Sequence, residues 1–152
     1  MANTYSQIYI YVVFAVQGRQ NLIGRERKEE LHTYMTGIVT RQGQKLLAIH
    51  CMPDHTHALI GLKPSKALSD LVGDMKTGAT NHINGNRWVR GRFSWQEGFW
   101  GLFLSHSQLT TVIRYIQNQE KHHQKTFREE YRQFLERFRV PYEERYLFES
   151  VE

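Results

Sequence analysis

The sequence predicts an α+β fold, an antiparallel sheet with helices packed on its faces. Three observations carry this. Apolar residues recur every second residue in some stretches and every three to four in others, so strands and helices alternate. Two short apolar runs are separated only by Pro53-Asp54, a connection too tight for anything but an antiparallel hairpin. The order reads strand, helix, strand, strand, helix, strand, helix, helix, which mixes the element types within one unit. The 152 residues suit a single domain spanning 1–152 and allow a core without staples.

Residues 5–16 are rich in β-branched and aromatic side chains and read as the first strand. Ile8, Ile10, Val12 and Phe14 fall on one face, and Tyr9, Tyr11 and Val13 on the other. Residues 17–25 hold two glycines and a polar run, a loop. Leu31, Tyr34, Met35, Ile38 and Val39 define an amphipathic helix over about 26–42. Its early glutamates suit the helix dipole, and Gly43 is its stop. Residues 45–52 and 55–62 form the hairpin. Leu68, Leu71, Val72, Met75, Ala79 and Ile83 mark a second helix over 67–83, which Asn84-Gly85-Asn86 should break. Residues 98–105 read as a fourth strand, and Ser107 as the N-cap of a helix running to about 124. Phe127, Tyr131, Phe134, Leu135 and Phe138 predict another helix over 127–138, before an acidic, aromatic tail from about 139.

The net charge of +5 is uneven. The first 125 residues carry 15 basic and 8 acidic side chains, and the remainder is net acidic. A basic domain with 12% aromatics suits a nucleic-acid partner. No run approaches the roughly 18–20 apolar residues of a membrane span, and the N-terminus has no secretory pattern. The single cysteine, Cys51, lies in an apolar segment and reads as a small buried hydrophobe. The expected compartment is the cytoplasm, with no membrane partner.

The chemistry concentrates in Pro53-Asp54-His55-Thr56-His57. Side chains alternate along a strand, so His55 and His57 face the same way, about 6.5–7 Å apart along the backbone. Two imidazoles so placed can grip a divalent cation. The spacing equally suits two half-buried histidines with local hydrogen bonds. Two ligands do not complete a site. The helix after Ser107 offers Tyr115 and Gln119 at i and i+4 on one face, with His122 and His123 a turn further on. That stripe is also what an ordinary solvated face looks like. Between them lies Arg87-Trp88-Val89-Arg90-Gly91-Arg92-Phe93-Ser94-Trp95, arginines interleaved with aromatics.

Taken together, these pieces make the chain similar to the single-tyrosine HUH transposases of the bacterial IS-200/IS-605 insertion-sequence group. The matching stretches are Val13-Phe14 at the end of the first strand, Pro53 to His57, Lys76 and Trp95-Gln96-Glu97-Gly98-Phe99. Tyr115 to Gln119 follows, then His122-His123 and Glu129-Glu130. They occur in family order over nearly the whole chain. The resemblance implies a ferredoxin-like or RRM-like sheet. It implies that His55, His57 and Gln119 bind Mg²⁺ or Mn²⁺ and that Tyr115 is the nucleophile. Asp54, His122 and His123 would support these groups. The implied activity is cleavage and rejoining of single-stranded DNA through a 5′-phosphotyrosine, by a homodimer that recognises hairpin ends. Lys76, Arg19, Arg87, Arg90 and Arg92 are candidate backbone contacts, and Trp88 and Trp95 candidate stacking platforms; Trp95 suits the core equally well, and the arginine run an ordinary solvated loop.

Three departures from the family pattern stand out. Thr56 replaces a bulky hydrophobe between the histidines. Tyr11 lies close to where the first strand commonly carries a histidine. The segment Gly98-Phe99-Trp100-Gly101-Leu102-Phe103-Leu104-Ser105 differs from the usual Gly-Tyr-Gly-Ala-Phe-Ser. Two alternatives remain: a domesticated relative that nicks hairpin repeats, and a non-catalytic binder of DNA or RNA hairpins.

Overall fold

The computed structural model describes residues 7–118, together with Arg132 and Glu136. Strand β1 spans Ile8–Ala15, helix α1 Lys28–Arg41, β2 Lys45–Met52, β3 His55–Leu62, α2 Leu68–Gly85, β4 Trp100–Leu104 and α3 Leu109–Gln117. The four strands form one antiparallel sheet in the order β2-β3-β1-β4. With the connectivity βαββαβ this is the ferredoxin-like arrangement. The further helix over 127–138 and the tail from 139 lie outside the described residues, apart from two isolated positions.

Alternation along β1 sorts the sheet into two faces. Ile10, Val12 and Phe14 pack with Ala58 and Ile60 of β3 against Leu31, Met35 and Val39 of α1 and Leu71, Val72, Met75 and Ala79 of α2. Tyr11, Val13 and Leu59 point the other way, under Val112 and Ile116 of α3. Many of these side chains are fully buried, each Leu, Ile or Phe contributing roughly 1.5–3 kcal/mol relative to exposure. Helices α1 and α2 approach closely at Gly78, where an added Cβ would collide with the Ile38 side chain. No helix among the described residues is long and apolar enough to cross a membrane.

The hairpin strands begin and end where the sequence places them, because Pro53-Asp54 leaves no slack. Elsewhere the ends move for local reasons. Helix α2 runs on through Gly85, since the Asn84 side chain is occupied in holding Phe93, whose N–H donates to Oδ1 at 2.8 Å. The chain turns at Arg87 instead, with φ +52°. Strand β4 starts at Trp100 because Gly98 has φ +77°, outside any strand geometry. Ser105, not Ser107, caps the turn before α3. Its N–H donates to Oε1 of Gln108 at 2.9 Å, across a short 3₁₀ turn at His106–Gln108.

Thr56 faces away from the histidines. It lies opposite Phe14 in the β1–β3 register, is fully buried, and its hydroxyl donates to the Cys51 sulfur at 3.3 Å. Burial pushes the Cys51 thiol up to about 12, so it stays protonated and inert. Cys51 N–H, on the outer edge of β2, donates to Nε2 of His32 at 2.8 Å. A helix side chain thus satisfies a backbone donor that the sheet edge leaves over.

Candidate active site

Strand register builds the site. His55 lies opposite Ala15 and His57 opposite Val13. Opposed side chains in an antiparallel pair share a face, so both imidazoles emerge beside Tyr11 and Val13, on the side that α3 covers. Both residues are buried, and their rings meet edge-on with centroids 4.7 Å apart. Tyr115 of the same chain sits in α3 above them, its ring centroid 6.3 Å from that of His57. It is half-buried and packs against the cluster formed by Tyr11, Leu59 and Ile116.

Each histidine is held at Nδ1. Oδ1 of Asp54 lies 2.6 Å from Nδ1 of His55. The other carboxylate oxygen of Asp54 accepts from Arg19, at 3.0 Å from Nη2 and 3.2 Å from Nε. Nδ1 of His57 hydrogen-bonds to the Tyr11 hydroxyl. With both Nδ1 atoms engaged, Nε2 is the nitrogen of each ring that would act as ligand. A carboxylate or hydroxyl behind a ligating imidazole is the usual way to fix its orientation. Two nitrogens on one cation, each at about 2.0–2.2 Å, must come within about 4 Å of each other. The two rings lie on one face with centroids 4.7 Å apart, and imidazole nitrogens are the kind of donor a divalent cation takes. Among the described residues no group of three or more His, Cys, Asp or Glu could hold a metal ion. Gln119, the expected third ligand, lies outside the described residues, as do His122 and His123.

Electrostatics lower the pKa of both His57 and Asp54, for different reasons. Burial holds His57 well below the usual imidazole range, and the positive fields of His55 and His50 add to this. It is therefore neutral and able to donate a lone pair. Burial alone would raise Asp54. The hydrogen bond and charge of His55, with the charge of Arg19, outweigh it and hold the carboxyl below its ordinary value.

The hairpin turn that carries the site is fixed from both sides. Pro53 O accepts from Leu22 N and Ile23 N at 3.0 Å each, and Asp54 O accepts from Val16 N at 2.8 Å. Trp95 bridges to Val16. The loop holding the arginines thus enters the sheet at the histidine end.

The candidate DNA contacts separate into two groups. Arg87, Arg90 and Arg92 are exposed. The rest have duties within the fold. Of the two readings of Trp95, its surroundings favour the core: it is buried, edge-on to Phe14 and Phe93 at 4.8 and 4.9 Å. Its Nε1 donates to Lys76 O at 3.1 Å. Lys76 in turn donates from Nζ to the carbonyls of Gln96 and Gly98, each at 2.8 Å. Arg19 is bound to Asp54. Trp88 is half-buried, edge-on to His82, with the Arg27 guanidinium 5.1 Å from its ring centroid.

Tyr11 is the residue whose part the sequence did not disclose. Alternation places it on the histidine face, but contact with His57 needs the β1–β3 register. That register sets Tyr11 opposite Leu59, making His57 its diagonal neighbour.

Comparison with known proteins places the chain in a family and its fold among solved structures. A family model described as "Transposase IS200 like" matches residues 4–119. The chain is 22% identical over 120 residues to the ISDra2 transposase TnpA of Deinococcus radiodurans, covering 74% of this chain and 84% of that protein. A crystal structure from Deinococcus radiodurans R1, assigned to a transposase, aligns with TM-score 0.59 and 23% identity over 78% of this chain and 95% of that one. A REP-associated tyrosine transposase bound to a REP hairpin aligns with TM-score 0.61 and 15% identity over 81% and 73%. These two structures share the fold. The family match spans well over half of the sequence, and the chain belongs to the IS200-like transposase family.

Proposed function

We propose that this transposase cuts and rejoins single-stranded DNA through Tyr115, with Mg²⁺ or Mn²⁺ held by His55, His57 and Gln119. The observation that carries the reading is the position of Tyr115 over the face where both imidazoles emerge, its ring 6.3 Å from His57. In this reading a nucleophile and two imidazole nitrogens share one small volume. A cation bound there supplies charge to offset the phosphate oxygens as they approach the transition state. Nitrogen and amide ligands leave that charge largely undiminished.

The chain's own residues do the rest. Tyr115 loses its phenolic proton and attacks phosphorus. The new O–P bond forms as the bond to the 3′ oxygen breaks, and that oxygen leaves with the electron pair and takes a proton. The products are a 5′-phosphotyrosine and a free 3′-hydroxyl. A second 3′-hydroxyl reverses the exchange on another strand, so no energy source beyond the phosphodiester is needed. Arg87, Arg90 and Arg92 offer charge to the DNA backbone at the histidine end of the sheet.

We further read the substrate as DNA with hairpin ends and the working unit as a cytoplasmic homodimer of single-domain chains. The fold shared with a protein bound to a REP hairpin supports the hairpin. It also favours the second reading, a domesticated relative that nicks hairpin repeats. A mere hairpin binder has no use for a tyrosine poised over two buried imidazoles.

The test is to incubate the full chain with Mg²⁺ and single-stranded DNA from its gene's flanks, then look for a covalent adduct on a denaturing gel. The adduct is expected to vanish with EDTA and in Tyr115→Phe. An adduct that persists in Tyr115→Phe would sink the assignment. Palindromes flanking the gene would mark a mobile element, and their absence a domesticated one.

A further inference from the structure

Asp54 and Tyr11 engage the two histidines at the same ring nitrogen with different chemistry. An ionised carboxylate only accepts. Nδ1 of His55 therefore carries a proton toward Asp54. A phenol can donate or accept, so the bond between Tyr11 and His57 admits either tautomer. Only one suits a ligand: if Nε2 is to offer its lone pair, the proton of neutral His57 must sit on Nδ1, and a buried N–H needs an acceptor. The Tyr11 oxygen lies where that acceptor must be.

Tyr11 is built to stay there. It is 1% exposed. Its ring is held edge-on by Trp100 at 5.8 Å, a residue of the neighbouring strand β4. Strand pairing on both sides of β1 fixes its backbone, opposite Leu59 on β3 and Leu102 on β4. The phenol points inward, to His57, rather than to solvent.

We propose that Tyr11 is a positioning residue for the transfer site: its oxygen accepts the Nδ1 proton of His57 and so commits Nε2 to metal binding. The proposal rests on the metal-dependent reading above. It makes the two imidazoles equivalent as ligands although their supports differ, a charged carboxylate for His55 and a neutral phenol for His57. Removing the hydroxyl alone leaves the ring packing intact and frees His57 to put its proton on Nε2, where it blocks the ligand position.

The test uses the full chain labelled with ¹⁵N-histidine, with His57 assigned through His57→Gln. In the metal-free protein His57 is expected as the Nδ1–H tautomer, and in Tyr11→Phe it should move to the Nε2–H form. A Mn²⁺ titration should show affinity weakened roughly 10–100-fold in Tyr11→Phe, the usual scale for losing such a support. Affinity for hairpin DNA without metal should not change, whereas general damage to the fold would lower it. An Nε2–H tautomer in the wild-type protein overturns the proposal, even if Tyr11→Phe fails to fold. So does Mn²⁺ affinity in Tyr11→Phe within about twofold of wild type. If the wild-type chain binds no Mn²⁺, the metal-dependent reading falls. The tautomer then still decides whether Tyr11 holds His57.

Discussion

The carboxylate of Asp54 lies 2.6 Å from Nδ1 of His55 while its second oxygen grips Arg19, so one acid ties the first loop to the candidate ligand. Asp54→Asn keeps the shape and removes the charge, and the amide can present a donor where an acceptor is required. Mn²⁺ affinity is expected to fall roughly 10–100-fold, measured by calorimetry. Arg19→Ala, one step further out, should cost less than Asp54→Asn.

Stability should fall as pH drops below neutrality, and His57 is the main cause. Burial holds its folded pKa well below 6.5. Between that value and 6.5 the unfolded chain binds a proton that the folded chain refuses. Its contribution is therefore complete above about 6.5 and is lost as pH falls toward the folded value, at up to about 1.4 kcal/mol per pH unit. His32, also lowered by burial, acts in the same direction. Urea midpoints at pH 7.5 and 5.5 should differ, and His57→Gln should narrow the gap. Asp54 works at lower pH by the mirror argument. Its depressed carboxyl stabilises the fold above its unfolded value of 3.8, and this is lost as pH falls through its lower folded value.

Lys76 and Trp95 hold the segment before β4 from two sides. Lys76→Met removes both hydrogen bonds to Gln96 and Gly98 and should destabilise by about 1.5–3 kcal/mol, the range for hydrogen bonds to a charged group. Trp95→Ala leaves a cavity between Phe14 and Phe93 and should cost about 3–5 kcal/mol. Denaturant unfolding checks both. A Trp95→Ala protein of unaltered stability with weakened DNA binding would restore the stacking role.

Arg87, Arg90 and Arg92 should behave differently. Replacing all three by alanine is expected to leave unfolding midpoints unchanged. The slope of log affinity against log salt for single-stranded DNA should fall in magnitude by about 0.7 for each phosphate that an arginine no longer neutralises. Fluorescence anisotropy at several salt concentrations measures it. An unchanged slope assigns these arginines no part in backbone binding.

Much of this architecture is legible without coordinates, for reasons particular residues make plain. Pro53-Asp54 fixes the hairpin to the residue, and strict alternation puts His55 and His57 on one side of β3 whatever the rest of the sheet does. The i to i+4 periods of α1 and α2 identify the residues that cover the opposite side. What alternation cannot supply is register between strands distant in sequence. The meeting of Tyr11 with His57, 46 residues apart, depends on it, as does the bond between Arg19 and Asp54. Trp95 stayed ambiguous for a different reason. A tryptophan among arginines has the composition of a base platform, and only its neighbours Phe14, Phe93 and the Lys76 carbonyl show that it faces inward. The last elements moved because side chains of Asn84 and Gln108 took backbone partners, which no periodicity reveals.

Strand β3 lies inside the sheet, paired along both edges, with every one of its residues buried. Helix α3 sits on that sheet through apolar contacts and joins β4 by a single short turn. The two halves of the proposed site are therefore held differently. Opening β3 means breaking strand pairing on both of its edges, whereas the described part of α3 meets the sheet through side chains. Under the proposed reaction the imidazoles therefore sit on the strand hardest to open, and Tyr115 on a helix laid over it.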